Sequence, residues 1–575
     1  MARYPIKSNQ NGTESKTQAK PMKNHALVIG AGITGLASAA LLARRGYDVT
    51  VVEKNRTTGG RVGEITDDGF RFETGPSWYL MPDAYEQFFR LMGTTVAEQF
   101  ELHTLDPAYR MYTGPNEYLD IPFGAHKVKA LFESLEPGAG AKLSAYLESA
   151  HLVYTIALER FLYTTFASPR PFMTTSVLGK AWSLVRFLCE PLQNFVGKQF
   201  RNHRLQKILQ YPAVFLSTQP LTAPSMYHLM SHTDLQLGVQ YPAGGFRAIV
   251  DAIEMLAREH EVRIEFGAEA TSLNCSGAAK RGARITTVSV RTDEGTKVYH
   301  PDVVVSTADL HHTETSLVPR KYQSYPATYF AKKDPGIGTV LVMLGVRGKL
   351  PQLNHHTLLL SQHWQRDFES VFSASGALAA DKMSSSIYVC KPSATDDTVA
   401  PAGCENLFVL VPTAADVGIG HGTGYPTHTP DSVDSFDAFA GERAGRHYQQ
   451  ESPAVTAIVD KALDRIAEYT GINDLSERII VRHTLGPADF AADFHAWRGG
   501  ALGPAHTLRQ SAMFRPQNQS AKLTNLYYAG ATVTPGVGVP MCLISAENVL
   551  KRIDGRTDSH PMRADEVLNS DSGLS

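Results

Sequence analysis

Three glycines, Gly30, Gly32 and Gly35, stand at G-x-G-x-x-G spacing directly after the apolar run "HALVI" and at the head of an Ala-rich stretch. Each has its own use at a strand-to-helix turn: Gly30 permits the tight turn, Gly32 lets backbone approach a pyrophosphate, and Gly35 lets helix and sheet pack closely. The helix start adds unpaired N–H groups and the positive end of a dipole for an anion. Glu53 closes the next apolar run, "DVTVVE", where a carboxylate accepts hydrogen bonds from ribose hydroxyls. Together these residues specify an adenine dinucleotide. Gly59, Gly60 and Arg61 follow, and flexible backbone with a guanidinium suits a pyrophosphate approached from the side opposite the helix. Spacing by itself leaves NAD and FAD both open.

The segment "LTNLYYAGATVTPGVGVPMCLISAENVLKRI" repeats this logic near the other end of the chain. A strand over residues 526–529 leads into a turn with Gly530, Gly536 and Gly538, and a helix begins at about Val539. Close backbone approach and free N–H groups again suit an anion or the polar edge of a ring. Both uncharged runs approach the length of a membrane span. Thr34, Ser38 and the three glycines interrupt the first, and Pro535 and Pro540 break the second.

The elements that must hold these turns are a β-α-β unit, with strands at 26–29 and 48–53 flanking a helix of about a dozen residues. Residues 140–235 are rich in Leu, Phe and Tyr at irregular helical spacing, whereas "ARITTVSVRTDEGTKVYHPDVVVSTAD" alternates like strands returning to a sheet. Strand-like "GTVLVMLGV" and "ENLFVLVPTA" and the amphipathic helix "PAVTAIVDKALDRIAEYT" suggest an α+β layer. The fold class read from this is α/β, a Rossmann-type dinucleotide-binding domain with an interleaved α+β substrate domain. Residues 1–22 read as a disordered lead and 554–575 as a disordered tail. The discontinuous nucleotide domain spans 23–95, 236–312 and 500–553. Residues 96–235 form a helical membrane or substrate subdomain, and 313–499 the α+β substrate domain.

The chain has 575 residues, enough for two or more domains, and its 55 Lys and Arg nearly match its 57 Asp and Glu. No global field draws it to nucleic acid. Five widely separated cysteines show neither metal spacing nor a disulfide framework and point to a reducing cytoplasm. His311–His312 and His355–His356 are read as adjacent residues on strands, facing opposite ways, so no metal site is expected.

The stretch "EKNRTTGGRVGEITDDGFRFETGPSWY" resembles the N-terminal signature of the flavin-containing amine oxidase and carotenoid desaturase superfamily. "NLYYAGATVTPGVGVPMCLISAENV" is similar to the C-terminal signature of its bacterial and fungal phytoene desaturases. "VYHPDVVVSTADLHHTE", "QSAMFRPQN" and the middle region from Leu205 to Ile253 resemble the same family, so the likeness runs from about Met22 to Ile553. Two places depart from the pattern: "AGATVTPG", where many members carry Gly-Thr-His or Gly-Ser-His, and "ADFHAWRGGALGPAHTLRQ".

The resemblance implies a flavoprotein with two dinucleotide-binding motifs that holds FAD through Gly30, Gly32, Gly35, Glu53, Gly59, Gly60, Arg61, Gly530 and Gly538. It implies phytoene and related polyene hydrocarbons as substrates, successive dehydrogenation toward lycopene by hydride transfer to FAD, and quinone or oxygen as the electron acceptor. His495, Arg498 and Arg515 are candidates to orient the flavin or accept a proton. A substrate of this kind partitions into lipid. The protein is therefore expected on the cytoplasmic side, peripherally attached to a membrane surface. The stretch Thr175 to Leu209, with Trp182, Phe187, Phe195 and Phe200 among Lys180, Arg186, Lys198 and Arg201, is the expected interfacial segment. Competing readings are a carotenoid cis-trans isomerase, an amine oxidase with Cys542 as a possible flavin link, and a non-catalytic carotenoid carrier.

Overall fold

The structure is a computed structural model that describes residues 23–168, 186–279, 282–372, 378–424 and 450–568. Strand β1 (His25–Ile29), helix α1 (Ile33–Arg45) and strand β2 (Asp48–Glu53) form the β-α-β unit. A hairpin of β3 (Tyr109–Gly114) and β4 (Glu117–Ile121) precedes helix α2 (Ala139–Ala157). Then come α3 (Phe246–Glu259), β5 (Arg263–Phe266) and β6 (Val303–Ser306). Next are β7 (Ile337–Arg347), β8 (His356–Leu359), β9 (Ile387–Cys390), β10 (Cys404–Ala414), α4 (Pro453–Thr470), β11 (Ile479–Leu485) and α5 (Pro487–Phe494). β12 (Leu526–Tyr528) and α6 (Val539–Ile553) complete the framework.

Five strands in the order β12-β6-β1-β2-β5 form a parallel sheet, with Val28 level with Val51 on one side and Val305 on the other. Their unbroken apolar runs are what a sheet covered on both faces requires. α1, α3 and α6 cover one face through Leu36, Ile249, Ile253 and Leu543. Leu273, Ile285 and Val288 of a small antiparallel sheet cover the other. α1 stops at Gly46, whose φ of 108° is left-handed and whose N–H bonds to the carbonyls of Leu42 and Ala43.

A second, seven-stranded sheet runs β11-β7-β10-β9-β8-β3-β4 and is antiparallel except where β8 meets β3. Alternation along β7 divides two cores. Val340, Val342, Leu344 and Val346 pack with Ile458, Ala462 and Ile466 of α4, while Leu341 and Met343 face the aromatic layer holding Tyr109, Tyr146 and Tyr388.

Three sequence expectations are corrected. The 96–235 region is not wholly helical, because β3 and β4 belong to the seven-stranded sheet. Their connection turns at Asn116, with φ of 57°, and alternation sends Tyr109 and Met111 into one core and Tyr112 into the other. The supposed tail is packed as far as Val567. Met562 and Val567 are buried, and Gln87 and Glu547 hold the Met562 backbone. The Lys551 ammonium, itself fully buried, pairs with Asp558 at 2.9 Å. Two apolar anchors in a polar stretch sufficed. The reading of 175–209 also changes: residues 175–185, with Trp182 and Lys180, lie outside the described residues, but Phe195 and Phe200 are buried against Tyr146, not free to enter lipid. Arg186 and Lys198 both pair with Glu190, at 3.1 and 2.6 Å. Among the described residues no helix is long and apolar enough to cross a membrane.

Candidate active site

The first glycine loop has the geometry its spacing implies. Gly30 has φ of 101°, and a Cβ on Gly35 would lie 1.9 Å from the Gly30 carbonyl oxygen. Neither position accepts another residue without backbone movement. Gly32 is different: it has ordinary extended backbone, and a Cβ there would meet no protein atom nearer than 3.8 Å. The space it leaves free is the wall of a cavity of about 650 Å³. Gly59 and Gly60, both with positive φ, come up opposite, and the Gly59 N–H bonds to the Ala31 carbonyl at 2.9 Å. Two backbone turns thus form a cradle at the N-terminus of α1, the end that favours an anion.

Glu53 sits at the end of β2 with its carboxylate accepting from the Ala31 and Asn55 N–H groups at 2.7 and 2.8 Å, and it lines the same cavity. Arg61 lines the cavity too, half-buried, and desolvation lowers its pKa. Its Nε has no hydrogen-bond partner, and its guanidinium stands 5.6 Å from the Phe494 ring. A cation whose Nε is buried and unbonded on a cavity wall calls for an anionic ligand.

The second turn closes the cradle. Gly530, φ 111°, donates to Ser545 Oγ of α6 at 3.0 Å, and Gly538, φ 116°, precedes the first turn of that helix. Between them Gly536 lies flat on a histidine that sequence reasoning missed. A Cβ there would be 2.2 Å from the His506 ring, and the Val537 N–H donates to His506 Nε2 at 3.2 Å. His506 is held from its other side by Tyr227 Oη at 2.9 Å, and burial keeps it neutral. It belongs to the segment that departs from the family pattern, and no local motif marks it.

The three candidates for catalysis fall in different places. His495 stacks on His312 with ring centroids 3.8 Å apart and meets Glu269 at 3.1 Å. Its pKa is lowered by burial and by Lys54, the neighbour of Glu53. It therefore stands at the nucleotide end. Arg498 is exposed and outside the cavity lining, which removes it from the chemistry. Arg515 is buried and donates to the carbonyls of Pro504, Gln510, Ala531 and Val533. A guanidinium spent on four carbonyls braces the second glycine turn and accepts no proton. The histidine pairs are also corrected. His311 and His312 end a short helix, Leu310–His312, and stack on Trp497 and His495. His355 precedes β8, so its ring touches that of His356 at 4.6 Å, and with Cys390 their ligand atoms lie within 4.8 Å of one another.

Beyond the cradle the cavity continues between the aromatic layer and the seven-stranded sheet. Trp78, Tyr211, Phe215, Leu341, Tyr388 and Phe408 line it there. Asp367 is a carboxylate on this side, and Ser384 Oγ at 2.9 Å and the N–H and Oγ of Ser386 cap it. Leu508, Met513 and Phe514 also line the cavity and are 38, 54 and 59% exposed, so they mark its mouth.

Residues 33–390 match the family model described as flavin containing amine oxidoreductase. The chain is 37% identical over 92% of its length, and 97% of the relative's, to a carotenoid 3,4-desaturase of Haloarcula japonica. It is 31% identical to a zeta-carotene-forming phytoene desaturase of Myxococcus xanthus, covering 92% of this chain and 93% of the relative. Its fold is similar to that of an oxidoreductase from Methanosarcina mazei, with a TM-score of 0.56 at 15% identity over 92% of this chain and all of the other. FAD is accordingly the cofactor, and the glycine cradle, Glu53 and Arg61 fit the chemistry of its pyrophosphate and ribose. With nucleotide loop, flavin-side turn and apolar chamber in one continuous cavity, the chain belongs to the flavin-containing amine oxidoreductase family, among its carotenoid desaturase-type members.

Proposed function

We propose that the protein desaturates acyclic carotenoid polyenes, removing a hydride and a proton from adjacent carbons, and that it carries phytoene toward lycopene. The observation that carries this reading is the chamber itself. It opens from the FAD cradle, is walled by aromatic and aliphatic side chains, and has its carboxylate capped by serines. Such walls suit a long hydrocarbon and recognise it by shape. Bound FAD supplies the two-electron acceptor, reoxidised by quinone or oxygen. The chain's part is positioning: the aromatic layer, with Trp78 and Tyr388 on the chamber wall, fixes the polyene and keeps water from a cationic intermediate. The exposed lip at Leu508, Met513 and Phe514 would dip into lipid at a membrane surface, so that substrate enters without crossing water.

A second reading, desaturation of a polyene that is already more unsaturated, is favoured by the higher identity to the 3,4-desaturase. Holoenzyme incubated with phytoene or lycopene in vesicles, followed by absorbance and mass, separates the possibilities. Loss of two hydrogens from phytoene per step supports the first, and loss from lycopene alone the second. Rearrangement at constant mass would replace both with isomerisation.

A further inference from the structure

Each desaturation releases a proton as well as a hydride, and an apolar chamber offers that proton no solvent. One wall of the chamber is nevertheless hydrogen-bonded into the core. Ser77 lines the cavity two residues after Gly75, whose Cα packs against the Arg61 carbonyl, so this hydroxyl stands beside the cofactor cradle. Ser77 Oγ lies 2.7 Å from Tyr388 Oη, and Tyr388 Oη lies 2.7 Å from His356 Nδ1. The His355 ring meets that of His356 at 74°, and its Nδ1 lies 2.8 Å from Thr395 Oγ1.

One set of donor directions satisfies every contact. Ser77 donates to Tyr388, Tyr388 donates to His356 Nδ1, and His355 Nδ1–H donates to Thr395. That assignment leaves a proton on His356 Nε2 and a lone pair on His355 Nε2, and these two atoms are buried without a partner. Donors and acceptors therefore alternate in one sense from the chamber as far as His356 Nδ1, where the hydrogen-bonded path ends. Burial holds both imidazoles far below the usual range, His355 at about 3, so each is neutral at rest and His356 Nδ1 keeps a lone pair for the Tyr388 hydroxyl.

We propose that Ser77, Tyr388 and His356 form a relay that carries the substrate's proton from the chamber to His356 Nδ1; the relay rests on the desaturase reading above. After hydride loss, the C–H bond beside the allylic cation breaks and its electron pair becomes the new π bond. The proton goes to Ser77 Oγ as the Ser77 proton passes to Tyr388 Oη and the Tyr388 proton to His356 Nδ1. His356 thereby becomes the imidazolium and holds the proton, with its Nε2–H unpartnered in the core. An allylic cation is a far stronger acid than any of these groups, so transfer runs downhill although the bases are weak. A metal at His355, His356 and Cys390 is the competing use of the cluster. It would require a thiolate from Cys390, whose pKa burial pushes far up.

The test compares wild-type holoenzyme with Tyr388→Phe, which keeps the ring and loses the hydroxyl, and with His356→Gln. FAD content, melting temperature and metal content are measured first. Anaerobic single turnovers with the polyene found active for the wild type then follow, in H2O and in D2O. The relay predicts full FAD content, no bound metal, product formation slowed about 10²-fold or more, and loss of the wild-type solvent isotope effect in both variants. Variants that turn over at the wild-type rate with the same isotope effect remove the relay alone. So does stoichiometric zinc that is lost in Cys390→Ser. A wild-type protein that binds FAD but desaturates no polyene removes the desaturase reading, and the relay with it.

Discussion

Two glycines three residues apart in the nucleotide loop should fail in opposite ways. In Gly32→Ala the new methyl has no protein atom within 3.8 Å and an ordinary backbone to sit on, so the apoprotein should fold with an unchanged melting temperature. The methyl projects into the cradle and displaces the pyrophosphate from the first turn of α1. Losing one hydrogen bond to a charged group costs about 1.5–3 kcal/mol, which weakens FAD binding about 10- to 150-fold. In Gly35→Ala the methyl would stand 1.9 Å from the Gly30 carbonyl oxygen. Ala normally gains about 1 kcal/mol over Gly inside a helix, but the clash is with backbone, and overpacking of this kind costs roughly 1–3 kcal/mol or more. The assay is paired: thermal unfolding of each apoprotein, then FAD titration by quenching of flavin fluorescence. Gly32→Ala with wild-type affinity, or with a melting temperature as low as that of Gly35→Ala, would refute the assignment of Gly32 to the cofactor.

Glu73 is half-buried with its Oε2 enclosed, and desolvation lifts its pKa to about 8 against the opposing hydrogen bond from the Phe246 N–H. The folded state therefore holds a proton that the unfolded chain releases near 4.5. Its contribution to stability is full below that pH and is lost as pH rises to about 8. Glu73→Gln should flatten the pH profile of melting temperature over this window and be the more stable protein above pH 8; parallel profiles would contradict this. At the cavity mouth, Phe514→Asp with Met513→Asp should reduce co-sedimentation with anionic vesicles and slow turnover of vesicle-borne polyene, with FAD content unchanged. Binding and turnover equal to wild type would move the membrane contact elsewhere.

The cofactor half of this site was legible in the sequence because its demands are local. Gly30 must take positive φ, Gly35 must clear a carbonyl five residues back, and Glu53 must end the adjoining strand; each requirement falls on a few contiguous residues. The reading failed where neighbours come from far along the chain. Phe195 and Phe200 looked lipid-facing beside Arg186 and Lys198, yet one carboxylate, Glu190, holds both cations while the rings turn inward. His495 and Arg515 follow motifs closely enough to suggest chemistry. Their partners, Glu269 and the carbonyls of 504–533, spend them on architecture.

The substrate half depends on register. β8 and β9 pair so that His356 is level with Cys390 and Leu358 with Tyr388. Because successive side chains alternate between faces, a slip of one residue in β9 would turn Tyr388 out of the chamber and away from Ser77, 311 residues distant in sequence. No motif encodes that meeting. The two chemistries of a dehydrogenation are thus specified differently: hydride acceptance by turns that single glycines dictate, and proton removal by the pairing of two short strands. Exchange of substrate between relatives should therefore track changes at β8, β9 and the residues that set their register, while the glycine turns stay the same.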